Sequence, residues 1–97
     1  MKLLEIQREL KANRKFREGK YSISVRLENP GDEFQEFLKV KITEDGKIVA
    51  KAIFKQWAGK SRWEPLSITV ENPQLRVSLR EMIYNAATNA GFFLKDQ

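Results

Sequence analysis

The 97-residue chain contains no cysteine and no histidine. Without cysteine there is neither a disulfide nor a thiolate metal site. Without histidine it lacks the commonest general base and the commonest metal ligand. Serine–histidine and cysteine–histidine catalytic sets are thereby excluded, and no glycine-rich phosphate loop follows a strand pattern. The acidic residues Glu28, Asp32, Glu33 and Glu36 cluster, but no Asp-x-Asp-x-Asp-Gly pattern accompanies them, so they read as a solvated loop rather than a calcium site. No catalytic residue, metal or cofactor is expected, and the chain reads as non-enzymatic. Long apolar runs are missing too, since nothing approaches the ~20 residues of a membrane span. Charges throughout Met1–Lys20 argue against a signal peptide. The expected location is cytoplasmic (nucleoid-associated) or nuclear, not secreted, with no membrane partner.

What is present is basic charge, unevenly spread. The net charge is +5 and the sequence pI about 9.6. Lys47–Arg62 holds five basic residues, no acidic one, and the aromatics Phe54 and Trp57, with Trp63 following. That stretch alone carries +5, while Met1–Leu27 contributes +5, Glu28–Gly46 −4 and Glu64–Gln97 −1. Backbone phosphates attract Lys and Arg, and aromatic rings stack on exposed bases, so such a concentration points toward a polyanionic partner.

Ninety-seven residues, 41% of them hydrophobic, suffice for one small domain with a modest core. Leu3, Leu4, Ile6 and Leu10 recur at helical spacing, which predicts a short amphipathic helix over 2–13, with a basic linker completing residues 1–18. Tyr21, Ile23, Val25 and Leu27 alternate with Ser22, Ser24, Arg26 and Glu28, as a half-buried strand does. Asn29-Pro30-Gly31-Asp32 ends it with turn residues. Further strands are expected over 34–43, 47–57 and 66–70, giving an antiparallel sheet within residues 20–71. Asn72 is a good N-cap with Pro73 at the first helical position, and Gly91 is a natural C-cap, so a C-terminal helix is expected over 72–91. Its apolar stripe is Leu75, Leu79, Met82, Ile83, Ala86 and Ala90. Phe92, Phe93 and Leu94 should fold back onto the sheet or a neighbouring subunit. The fold class is therefore α+β: a four-stranded curved antiparallel sheet, a C-terminal helix on one face and a short N-terminal helix.

The hairpin around Glu44-Asp45-Gly46 fixes which side chains share a face. A simple two-residue turn would pair even positions with odd ones and mix the two faces. A three-residue loop with Gly46 in the left-handed region pairs even with even. Leu38, Val40 and Ile42 then join Ile48, Ala50, Ala52 and Phe54 on one apolar face. The other face collects Lys39, Lys41, Lys51 and Lys55 with Phe37, Val49, Ile53 and Trp57. Lys39 falls opposite Lys51, an unfavourable like-charge pair that a phosphate would relieve.

Two groups are candidate nucleic-acid contacts. On the sheet, Lys39, Lys41, Lys51 and Lys55 would meet phosphates while Trp57 and Phe37 stack on bases. In the following loop, Lys60, Arg62 and Trp63 would form a basic clamp with an aromatic platform. The plainer readings are a solvated lysine-rich face and a Trp63 that caps the core beside Pro65.

The residues Gly46-Lys47-Ile48, Phe54-Lys55-Gln56-Trp57, Gly59-Lys60, Pro65, Ser67-Ile68-Thr69, Asn72-Pro73, Leu79 and Ile83 together resemble the second half of the positive-cofactor-four family of transcriptional coactivators. The resemblance covers residues 46–83. It implies a four-stranded antiparallel sheet followed by a helix, dimerisation through that helix, and single-stranded DNA bound across curved strands. It also implies DNA contact from Lys47, Phe54, Lys55, Trp57 and Lys60, which conflicts at Phe54 with the register argument that buries it. The chain differs from the family pattern in its short loop after Trp57, its less basic first strand and its preceding helix.

The expected function is non-enzymatic binding of single-stranded DNA or RNA through the lysine/aromatic sheet face, by a homodimer acting as an accessory in transcription, replication or recombination. The alternative is a small protein-binding regulator or inhibitor, of the kind phages and mobile elements encode, that holds a protein partner through its N-terminal helix.

Overall fold

The computed structural model describes residues 13–29, 36–56, 63–92 and 94. It contains five strands and one helix. The strands are β1 (Asn13–Glu18), β2 (Tyr21–Glu28), β3 (Phe37–Glu44), β4 (Lys47–Gln56) and β5 (Trp63–Val70). They form one antiparallel sheet in the order β1-β2-β3-β4-β5, each strand beside its sequence neighbour. A 3₁₀ turn (Pro73–Leu75) leads into α1 (Arg76–Asn89), which packs on one face of the sheet.

The fold is α+β as the sequence implies, but the sheet has five strands rather than four. The additional one is β1, in the basic segment read above as a linker. Its six residues, Asn-Arg-Lys-Phe-Arg-Glu, hold a single aromatic and no alternating apolar pattern, so periodicity alone misses it. A two-residue turn at Gly19-Lys20 brings Glu18 opposite Tyr21 and pairs the strand with β2. The helix expected over 2–13 lies outside the described residues, except that Asn13 opens β1.

The β3–β4 hairpin reaches the expected parity by a different route. Glu44 pairs with Lys47, so the turn has two residues, and both Asp45 (φ 51°) and Gly46 (φ 80°) are left-handed, as in a type I′ turn. Taken alone, that turn would send Ala50, Ala52 and Phe54 to the wrong face. One extra residue corrects it: Ile42 pairs with Ala50 and Thr43 with Ile48, leaving Val49 as a bulge. The Val49 carbonyl accepts a hydrogen bond from the Glu71 amide at 3.0 Å. Two expectations change in consequence. Ile48 is displaced from the apolar face and is 47% exposed, whereas Val49 packs against the core. Lys51 lies opposite Lys41, not Lys39. A second bulge sits at Leu66, because Ile53 pairs with Ser67 and Phe54 with Pro65. Pro65 has no amide hydrogen to donate, and a bulged edge strand tolerates that.

The core lies between the sheet and α1. Tyr21, Ile23, Val25 and Leu27 of β2, Leu38, Val40 and Ile42 of β3, and Ala50, Ala52 and Phe54 of β4 are all buried. They meet Leu79, Ile83, Ala86 and Ala87 of α1 and Ala90 just past its end; of the stripe expected from helical spacing, Leu75 and Met82 are only partly buried at its margin, and Ala87 is an addition to it. The helix packs chiefly over β2 and β3, and Phe54 of β4 meets the edge of Tyr84 (centroids 5.8 Å apart, planes at 86°). Asn72 caps the entry, its Oδ1 accepting from the Gln74 amide at 3.0 Å. At the exit Gly91 (φ 96°) closes a Schellman motif, in which the Phe92 amide donates to Ala87 and the Gly91 amide to Thr88. The chain then turns back onto the sheet. Phe92 packs edge-on against Trp63 at 5.8 Å, and Leu94 forms a parallel bridge with Trp63.

Phe54 is fully buried, so Phe54→Ala is expected to cost about 3–5 kcal/mol in urea unfolding. The Tyr84 hydroxyl is buried without a hydrogen-bond partner among the described residues. Tyr84→Phe is therefore expected to leave stability within about 1 kcal/mol or raise it, because the phenol oxygen brings desolvation cost without a bond.

Candidate nucleic-acid interface

Side chains alternate across a strand, so the same pairings that build the core define the opposite face. Three rows of laterally paired residues cross it and extend to β4 and β5. The first joins Lys15, Ser24, Lys41, Lys51 and Thr69; the second joins Asn13, Arg26, Lys39, Ile53 and Ser67; the third joins Arg17, Ser22, Thr43 and Ile48. A further row at the far end holds Glu28, Phe37, Lys55 and Glu64. Among the described residues no element covers this face.

Seven cations stand on it: Lys15, Arg17, Arg26, Lys39, Lys41, Lys51 and Lys55. Glu28 and Glu64 are its acidic residues. Neighbouring strands are about 4.8 Å apart, so Lys41 facing Lys51 and Arg26 facing Lys39 are like-charge pairs at close range. Such pairs oppose sheet formation, and the core on the other face must outweigh them. Lys39 reaches the Glu28 carboxylate at 3.1 Å. Lys55 lies over the Phe37 ring with its Nζ 5.7 Å from the centroid, a cation–π contact. Phe37 is half-buried there, leaving part of its ring in solvent.

The candidates divide into four groups. Lys39, Lys41, Lys51 and Lys55 share the open face, as the alternation implies. Lys47 is exposed but pairs with Glu44 in the row of Tyr21, on the helix side of the sheet. Trp63 is 4% exposed and packs in the core with Phe92 and Leu94, so it offers no platform for a base. The plainer reading of Trp63 is the one that fits. Trp57, Lys60 and Arg62 lie outside the described residues. Phe54, which the family resemblance makes a DNA contact, is buried, as the register requires.

Three cations of this face, Lys15, Arg17 and Arg26, are absent from the sequence-based candidates. Arg26 stands on the open side of β2, whereas Lys15 and Arg17 ride on β1, and only its pairing with β2 assigns them a side. The Arg-Lys-x-Arg-x-x-Lys spacing of 14–20 carries no period, although the Gly19-Lys20 turn signal was available. Lys20 itself pairs with Glu44 at 3.1 Å, and that carboxylate, by hydrogen bond and charge, raises the lysine pKa above its ordinary value. Among the described residues no three potential metal ligands come together, and no helix is long and apolar enough to cross a membrane.

No protein-family model, curated protein or solved structure matches the chain. The resemblance over residues 46–83 therefore rests on those residues alone.

The Lys39–Glu28 pair is partly exposed to solvent. Glu28→Gln is expected to change unfolding free energy by no more than about 0.5–1 kcal/mol, and to do so less at 1 M salt than at 0.05 M, as a pair of denaturation curves will show.

Proposed function

We propose that the chain is a non-enzymatic single-stranded nucleic-acid-binding protein whose contact surface is the open face of the sheet. The observation that carries the reading is the charge of that face: seven cations and two carboxylates on one side of a five-stranded sheet. Cations spaced by strand separation along rows suit a flexible backbone that can adjust its phosphates to them. Phe37, with Lys55 against its ring, supplies one stacking surface, and Ile53 lies one row away as an apolar neighbour. Single strands offer unstacked bases to such a surface, whereas a duplex buries them. In this reading the protein acts as a homodimer and an accessory in transcription, replication or recombination, in line with the resemblance to the coactivator family.

The test is fluorescence anisotropy of a labelled single-stranded oligonucleotide at two salt concentrations, with duplex as competitor. Binding should favour the single strand and weaken steeply with salt. The double charge reversal Lys51→Glu/Lys55→Glu should lower affinity on the order of a hundredfold at low salt. Arg76→Glu, on the exposed surface of α1, should leave it nearly unchanged. Equal affinity for the wild type and the double reversal would remove the open face from the interaction. Absence of binding by the wild type at low salt would favour the protein-partner reading.

A further inference from the structure

The open face is not uniformly basic. Its far end holds Arg26, Lys39 and Lys55 together with both carboxylates: Glu28 binds Lys39 at 3.1 Å, and Glu64 stands opposite Lys55. Its near end holds Lys15, Arg17, Lys41 and Lys51, and no acidic residue occupies either of their rows. The relief of the surface differs as well. On β2 the near-end positions are the short residues Ser22 and Ser24, while β1 and β3 raise Lys15, Arg17 and Lys41 on either side. The result is a trough of about 500 Å³ along β2, floored by the two serines and Thr43 and walled by the three cations.

We infer that this trough is the phosphate seat of the interface. The inference rests on the single-strand reading and adds to it a place and a chemistry. A phosphate diester presents one negative charge shared over two non-bridging oxygens. Lys15, Arg17 and Lys41 supply charge from both walls, and Arg17 supplies a planar fork of donors. The hydroxyls of Ser22, Ser24 and Thr43 donate from below. The seat requires β1, so a sheet lacking that strand would have the lysines of β3 and β4 without the second wall. At the far end the same number of cations on β2, β3 and β4 would contribute much less, because carboxylates already screen them.

Two triple variants remove equal charge from the two ends: Lys15→Gln/Arg17→Gln/Lys41→Gln at the trough and Arg26→Gln/Lys39→Gln/Lys55→Gln at the far end. A third variant, Ser24→Gln, fills the floor without changing charge. Circular dichroism checks that each is folded, since all these positions lie on the side away from the core. With a labelled single-stranded oligonucleotide, the trough triple is expected to bind at least about 30-fold more weakly and to reduce the log–log salt slope by about 2, whereas the far-end triple loses less than about threefold. Ser24→Gln should weaken binding severalfold at every salt concentration. Equal losses from the two triples, with Ser24→Gln unchanged, would mean a diffuse field; the seat would fall and the single-strand reading would survive.

Titration of the ¹⁵N-labelled wild type with pyrophosphate separates the possible sources of the phosphate. Shifts at the Ser22, Ser24 and Thr43 amides that the oligonucleotide then reverses or supplants support the seat. Oligonucleotide binding with those amides unmoved overturns it. Saturation by pyrophosphate in a protein that binds no oligonucleotide would assign the trough to a small phosphorylated ligand and overturn both the polynucleotide seat and the single-strand reading.

Discussion

One additional residue in β4 governs the sides of this molecule. The Asp45-Gly46 turn is a strong local preference, set by two left-handed residues in a row. The hydrophobic alternation of β4 is an equally strong preference of longer range. The two are out of step by one position, and because strand side chains alternate with period two, that mismatch would place Lys51 and Lys55 in the core and Phe54 in water. The bulge at Val49 reconciles them. Its neighbour Ile48 is left in solvent, a modest cost compared with burying lysines. The core, the lysine rows and their spacing all follow from that one insertion.

The core that results is unequal in its materials. β2 and β3 bring large aliphatic side chains, while β4 brings Ala50 and Ala52 and α1 brings Ala86, Ala87 and Ala90. The helix lies chiefly over the large side chains of β2 and β3, while on β4 Phe54 packs against the edge of Tyr84 beside the alanines. The end of the helix is equally well defined. Its Schellman closure turns Phe92 toward Trp63, so a tryptophan that follows a basic run in the sequence becomes a wall of the core.

Much of this was legible in the sequence where periodicity and end signals agreed. The alternation of Tyr21 to Leu27, the stripe from Leu75 to Ala90, the Asn72 cap and the Gly91 stop all recur in the structure at those residues. The parity of β3 against β4 was also legible, since only one parity keeps lysine out of the core. How that parity arises was not, because a three-residue loop and a two-residue turn with a later bulge leave the same pattern downstream of residue 50. β1 was hidden for a different reason: a strand with one half-buried side chain has no pattern to display, and its partner specifies it. Trp63 was ambiguous because its burial depends on Phe92 and Leu94, about thirty residues away. The basic face was visible as charge in β3 and β4, but the share contributed by β1 could be assigned a side only once that strand was paired.

β1 also differs from the rest in how firmly it is held. It is an edge strand, five of its six residues are exposed, and Phe16 is its one half-buried side chain. Its amides should therefore exchange with solvent through local fraying, at rates set by the β1–β2 hairpin, while those of β2 and β3 await global unfolding. Two timescales would then coexist in one sheet. A cation carried on β1 samples many positions within the lifetime of a single arrangement of the core, so the surface on that side is better described as an adjustable margin than as a fixed template.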